Sequence, residues 1–198
     1  MNRREFAAVS SAVAAILTHP ASAAALATGV PPSGSVWVVF DRRFGPSQLF
    51  GRTASRLTRH VHGIEGDVTA VWMEHLDPLW RRGDGTVAGM TTVPSFICLQ
   101  QLAAQHWFRV TARVEHVPSP EETVIHDISA EPRWQRTLRS SLAGQAWPEN
   151  LAATMLGAGR DGAGPERARV SGRLQRQWLD TPPLVSWYMS GRTEVERT

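Results

Sequence analysis

Carboxylates, hydroxyls and basic side chains sit at the ends of apolar runs in this chain, where they could bind or act on a small ligand. Asp41, followed by Arg42 and Arg43, closes the run Val36-Trp37-Val38-Val39-Phe40. Glu65-Gly66-Asp67 follows His60-Val61-His62-Gly63-Ile64, and Thr91-Thr92 follows Thr86-Val87-Ala88-Gly89-Met90. Glu115-His116 ends the alternating run that starts at Arg109. If the runs are parallel strands, these residues gather at one edge of a sheet, where ligands of open α/β folds bind. Asp41, Arg42, Asp67, Thr91, Thr92 and His116 are the candidate ligand-binding set. Arg42 and Arg43 supply full positive charge, and helix starts near Ser47, Asp67 and Thr92 supply partial positive charge. The ligand that fits carries a carboxylate or similar anion. An enzymatic alternative uses Asp41 or Asp67 as acid/base with His116 nearby. A purely structural one makes Asp67 and Thr92 helix caps and Asp41 a turn residue.

Other chemistries find less support. His60-x-His62 puts two imidazoles on one side of a strand, but no third ligand is fixed by spacing, so no metal is assigned. His-Glu-x-x-His, a phosphate-binding glycine loop and Gly-x-Ser-x-Gly are all absent. No cofactor and no catalytic residue is assigned. Cys98 is the one cysteine, which excludes a disulfide within the chain and any cysteine-based metal site. Its neighbours Phe96, Ile97 and Leu99 predict a buried, inert thiol.

The positioning elements follow from periodicity. The run 36–40 reads as a strand buried on both faces. Gly45-Pro46-Ser47 starts a helix with Leu49, Phe50, Ala54 and Leu57 on its apolar side. A second strand at 60–64, a helix through Val68, Val71, Trp72 and Leu76, a third strand at 86–90 and a helix through Phe96, Leu99 and Leu102 repeat the pattern. The alternating stretch 109–116 adds a fourth strand. Four strand signals alternating with three helical ones predict an α/β domain. Its sheet is mostly parallel, of about four to five strands, in a Rossmann-like three-layer arrangement. The expected division is a βαβ core at 36–116 and an extension at 117–198. The extension holds a short strand at 122–128, helices at 134–142 and 149–156, a mobile glycine-rich loop at 157–165, and a late strand at 184–189 that adds to the sheet edge. Trp37, Trp72, Trp80 and Trp107 are expected in the core, with Trp134, Trp147 and Trp178 either in the core or lining a cleft or partner surface.

The first residues carry a different message. Arg3-Arg4-x-Phe6 precedes an uncharged run from Phe6 to Leu17 and the small residues Ala21-Ser22-Ala23. This resembles a bacterial twin-arginine export signal, with Asn2 in place of the usual hydroxyl residue and Ala7-Ala8 in place of Leu-Lys. The resemblance covers residues 1–23 and implies passage through the twin-arginine translocase, cleavage after Ala23 and a periplasmic protein. An Ala, Gly and Pro-rich linker at 24–35 and a single domain at 36–198 then follow. The apolar run is short of the ~20 residues a spanning helix needs, so no stable membrane anchor is expected. All 21 basic residues are arginine and the net charge is only +3. Acidic residues are interspersed with them, and this gives no stripe for nucleic acid. The sequence therefore points to an exported protein that binds a small polar or anionic ligand or assists a redox or catabolic partner. The alternatives are a periplasmic enzyme using an Asp/His pair and an escort co-exported with a partner subunit.

Overall fold

The computed structural model describes residues 36–83, 85–157 and 166–191. The export motif, the linker and most of the predicted glycine-rich loop lie outside them. Seven strands form one sheet in the order β2-β1-β3-β7-β4-β5-β6. They are β1 Val36–Asp41, β2 Val61–Ile64, β3 Thr86–Thr92, β4 Phe108–Ser119, β5 Thr123–Ala130, β6 Glu166–Arg173 and β7 Leu184–Gly191. β1 pairs in parallel with β2 and β3. The four remaining pairings, β3–β7, β7–β4, β4–β5 and β5–β6, are antiparallel. The α/β class is as the sequence predicts. The mostly parallel sheet of four to five strands is not: the sheet has seven strands and is mostly antiparallel.

The reason lies in the connections. A parallel neighbour needs a long crossover, which β1-to-β2, β2-to-β3 and β3-to-β4 all have, but β7 inserts antiparallel between the parallel strands β3 and β4. β4 and β5 are joined by Pro120-Glu121-Glu122, with Ser119 facing Thr123, and so must run antiparallel. Glu122 takes a left-handed conformation (φ 54°) to close that turn.

Both faces of the sheet are covered, by different helices. α1 (Gly45–Ala54), α5 (Pro132–Leu142) and α6 (Trp147–Gly157) cover one face, where Val38, Met90, Val114, Ile128 and Tyr188 meet Phe50, Leu138 and Leu151. The other is covered by α4 (Val93–Ala104) and a composite helix, in which Val39, Val87, Trp187 and Met189 meet Leu76, Trp80, Phe96 and Leu99. The composite runs from α2 (Thr69–Val71) through a wide π turn (Trp72–Leu76) into α3 (Asp77–Arg81). Pro78 has no N–H to offer the carbonyl four residues back, and a change of helical turn ahead of it is the physical answer.

Two local expectations are corrected. Cys98 is exposed. α4 buries Ser95, Phe96, Leu99 and Ala103. Residue 98 lies two positions from Phe96, about 200° around the helix, on the solvent side with Ile97. Trp107 is also exposed, at 62 %, and holds a left-handed backbone (φ 64°) at the turn from α4 into β4. Trp134, Trp147 and Trp178 are buried and belong to the core.

Candidate functional site

The chain leaves β1 to one side of the sheet and β3 to the other. Helix α1, after β1, packs on one face, and α4, after β3, packs on the opposite face. β1 and β3 are nearest neighbours, so their diverging connections open a crevice at their carboxyl ends. A cleft of about 650 Å³ lies there. It is lined by Arg43 and Phe44 after β1, Gly66 after β2, Thr92, Val93, Pro94 and Ser95 after β3, and Pro182-Pro183 ahead of β7. Its volume is within the range of small-molecule sites, about 300–1,000 Å³.

Arg43 is the cation of the cleft, and its position is fixed on three sides. Asp41, fully buried, takes hydrogen bonds from Arg43 Nε (2.9 Å) and Nη2 (2.7 Å), and its carboxylate also accepts the Arg43 backbone N–H (3.1 Å). The Arg43 guanidinium lies 5.0 Å from the centre of the Phe44 ring. Below it, Gly66 sits at φ 93°, and a Cβ there would come within 2.7 Å of Arg43 Nη2. Glycine is thus needed both for the backbone angle and for the close approach. The hydrogen bond to Asp41 raises the Arg43 pKa above its usual value, burial opposes it, and the charges of Asp41 and Glu65 add to the rise.

Asp41 is held in turn. The Ser47 hydroxyl accepts the Asp41 N–H (2.8 Å) and donates to the Met90 carbonyl (2.6 Å), tying the starts of the β1 and β3 connections together. On the β3 side, the Ser95 hydroxyl donates to the Gly66 carbonyl (2.7 Å) and lies 3.1 Å from the Thr92 hydroxyl. The N-cap of α4, Thr92, makes no side-chain capping bond. The backbone N–H groups of the first turn of α4, whose residues Val93, Pro94 and Ser95 line the cleft, have no intrahelical acceptor. Proline at residue 94 removes one of them. Phe44, Val93, Pro94, Pro182 and Pro183 give the cleft apolar walls.

The six residues expected from sequence are placed as follows. Thr92 lines the cleft. Asp41 lies behind it and positions Arg43. Arg42, next in the chain, points elsewhere and stands 3.9 Å from Glu65 at the exposed rim. Thr91 is buried on the other side of β3, where its hydroxyl accepts the Trp187 indole N–H (3.2 Å). Asp67 is exposed and accepts the Thr69 N–H (2.8 Å), and that bond lowers its pKa. His116 sits level with Thr92 in the sheet, with Leu184 of β7 between them. Its side chain is buried away from the cleft. β1 and β4 are three pairings apart, about 14 Å at ~4.8 Å each, so Asp41 and His116 cannot act on one bond. Phe44, Pro182 and Pro183 were not foreseen. The two prolines precede a strand read as peripheral, and nothing in their spacing announces a cleft wall.

His116 instead belongs to a buried polar cluster. Its Nδ1 is 2.7 Å from Nδ1 of His126, its partner across β4 and β5, and its Nε2 is 2.8 Å from the Ser186 hydroxyl on β7. Trp147 of α6 covers both rings, with centroids 4.5 and 4.8 Å away. Burial, and then the charge of His126, hold His116 well below the usual imidazole pKa. Burial lowers His126 to about 4. The other histidine group, His60 and His62, stacks on Trp37 with centroids 4.3 and 5.3 Å away. His75 lies 4.1 Å from His62. Burial lowers the His62 pKa, and the neighbouring histidines add to it. Among the described residues, no three His, Cys, Asp or Glu side chains are arranged to hold a metal ion. Also among them, no helix is long and apolar enough to cross a membrane. No protein family, curated protein or solved structure matches this chain, and the functional reading rests on the cleft.

Proposed function

We propose that this protein is exported and binds a small ligand bearing a carboxylate or similar anion in the cleft between the β1 and β3 connections. The observation that carries the reading is Arg43: a guanidinium at the switch point of the sheet, facing a cleft and locked by a buried carboxylate. A side chain fixed before the ligand arrives loses little entropy on binding, and that is the purpose of such a lock in a binding site. The uncapped start of α4 beside it favours the same sign of ligand.

Binding rather than turnover is favoured because, among the described residues, no titratable side chain other than Arg43 lines the cleft. The test is a thermal-denaturation screen of the protein against small organic acids and their neutral amides. An acid that binds should raise the Tm in proportion to the logarithm of its concentration, while its amide does not. Acids and amides acting alike would overturn the reading.

The export half of the reading rests on Arg3-Arg4-x-Phe6 and Ala21-Ser22-Ala23. Replacing both arginines with lysine should retain the precursor in the cytoplasm of a bacterial host. Unchanged export of that variant would rule out the twin-arginine route.

A further inference from the structure

We infer that the cleft selects a singly charged carboxylate on a flat apolar body, and rejects phosphate and dicarboxylates. The inference rests on the anion-binding reading above and adds the ligand's charge and shape. It follows from how Asp41 uses Arg43. A guanidinium offers two bidentate edges, one through Nε and one Nη, the other through both Nη atoms. Asp41 occupies the edge through Nε and Nη2, at 2.9 and 2.7 Å. One edge remains, and it fits one carboxylate.

The charge balance agrees with the geometry. The positive charge of Arg43 is already opposed by Asp41 at its side and by Glu65 nearby. Among the described residues, no second cation lines the cleft. A dianion would leave one charge unpaired against walls that cannot hydrate it, whereas a monoanion can be matched by the remaining edge and the start of α4. Phe44, Val93, Pro94, Pro182 and Pro183 supply the walls. Two adjacent prolines have no backbone N–H to offer a polar ligand and present flat ring faces, which suit a planar hydrocarbon. Asp41 is in this view a positioning residue: it touches Arg43 and not the ligand.

The experiment titrates the intact chain with benzoate, benzamide, malonate and inorganic phosphate, following the backbone amide resonances of Gly66 and Ser95. Benzoate should shift them saturably, benzamide should bind at least ten-fold more weakly, and phosphate and malonate should cause no saturable shift. Saturation by phosphate or malonate but not benzoate overturns the monoanion inference and leaves the anion-site reading standing. Equal binding of benzoate and benzamide, or no shift with any probe, overturns both. A second measurement uses the neutral pair Asp41→Asn/Arg43→Gln, in which the preference for benzoate over benzamide should vanish. A preference that survives there would show that Arg43 is not the anchor and would sink the inference. Should that pair fail to fold, the four-probe titration of the unmodified protein decides alone.

Discussion

Acid should begin to destabilise this protein before its carboxylates titrate, because two imidazoles are sealed in its interior. His116 and His126 face each other at 2.7 Å under Trp147, and His126 Nε2 has no hydrogen-bond partner. The folded chain holds His126 neutral down to about pH 4, while the unfolded chain takes up its proton near 6.5. The folded-state pKa is the lower one, so the stabilisation is whole above pH 6.5. It drains as the pH falls from 6.5 towards 4, and is gone below that. Moving the titration from 6.5 to about 4 costs about 3 kcal/mol from His126 alone once the pH is below both values, a sizeable part of a typical stability of about 5–15 kcal/mol. His116, lowered further by burial, adds to the loss in the same direction. Urea denaturation at pH 7.5, 5.5 and 4.5 reads this directly. The variant His126→Asn keeps a hydrogen-bonding group near the position of Nδ1 and removes the titrating ring. It should start less stable, and its stability should fall about 2–2.5 kcal/mol less than that of the unmodified protein between pH 7.5 and 4.5. Parallel pH curves for the two proteins would refute the assignment of acid lability to this pair.

Three further outcomes are expected. Gly66→Ala adds a Cβ within 2.7 Å of Arg43 Nη2 at a backbone angle of φ 93°. It should cost about 1–2 kcal/mol in urea denaturation and weaken carboxylate binding at least ten-fold in titration. Ser47→Ala strands the buried Asp41 N–H and removes the donor to Met90. A loss of about 1–3 kcal/mol is expected, and a neutral result would show that this tie between β1 and β3 carries no load. Cys98 should react with a thiol reagent in the native protein as fast as in the unfolded one, to within an order of magnitude, because it is solvent-exposed on α4.

Thr92 and the corner of the site made by Asp41 and Arg43 were legible because the chain marks strand ends chemically, while Arg42, Thr91, Asp67 and His116 lie elsewhere. A continuous apolar run ending in Asp-Arg-Arg fixed both the place of β1 and the charge beyond it. What the sequence hid was rotation and pairing. Arg42 and Arg43 are equivalent as letters, and only the fold turns one to the rim and the other onto Asp41. Cys98 lies in an apolar tetrad whose helical phase places it outward. β6 carries no clear strand signal because an edge strand needs to bury only one side, and Arg167, Arg169 and Arg173 break any apolar run. β7 was visible as a strand but assigned to the sheet edge. Its run Leu184 to Met189, apolar or aromatic but for Ser186, was the signal that it is buried on both faces.

That interior place of β7 decides how the molecule can be assembled. β3 and β4 are consecutive in the chain, but every ladder bond between their halves of the sheet passes through β7, which follows β4 by more than sixty residues. Until it docks, β2-β1-β3 and β4-β5-β6 are two three-stranded pieces, each with a raw inner edge ready to recruit a strand from another molecule. Closing so distant a pairing is slow, since loop entropy is spent before any contact is gained. β7 thus works as a keystone: a chain cut short of Leu184 is not a smaller version of this protein but two adhesive half-sheets. The same insertion brings Pro182-Pro183 to the cleft, and so the cleft has all its walls only once β7 has docked.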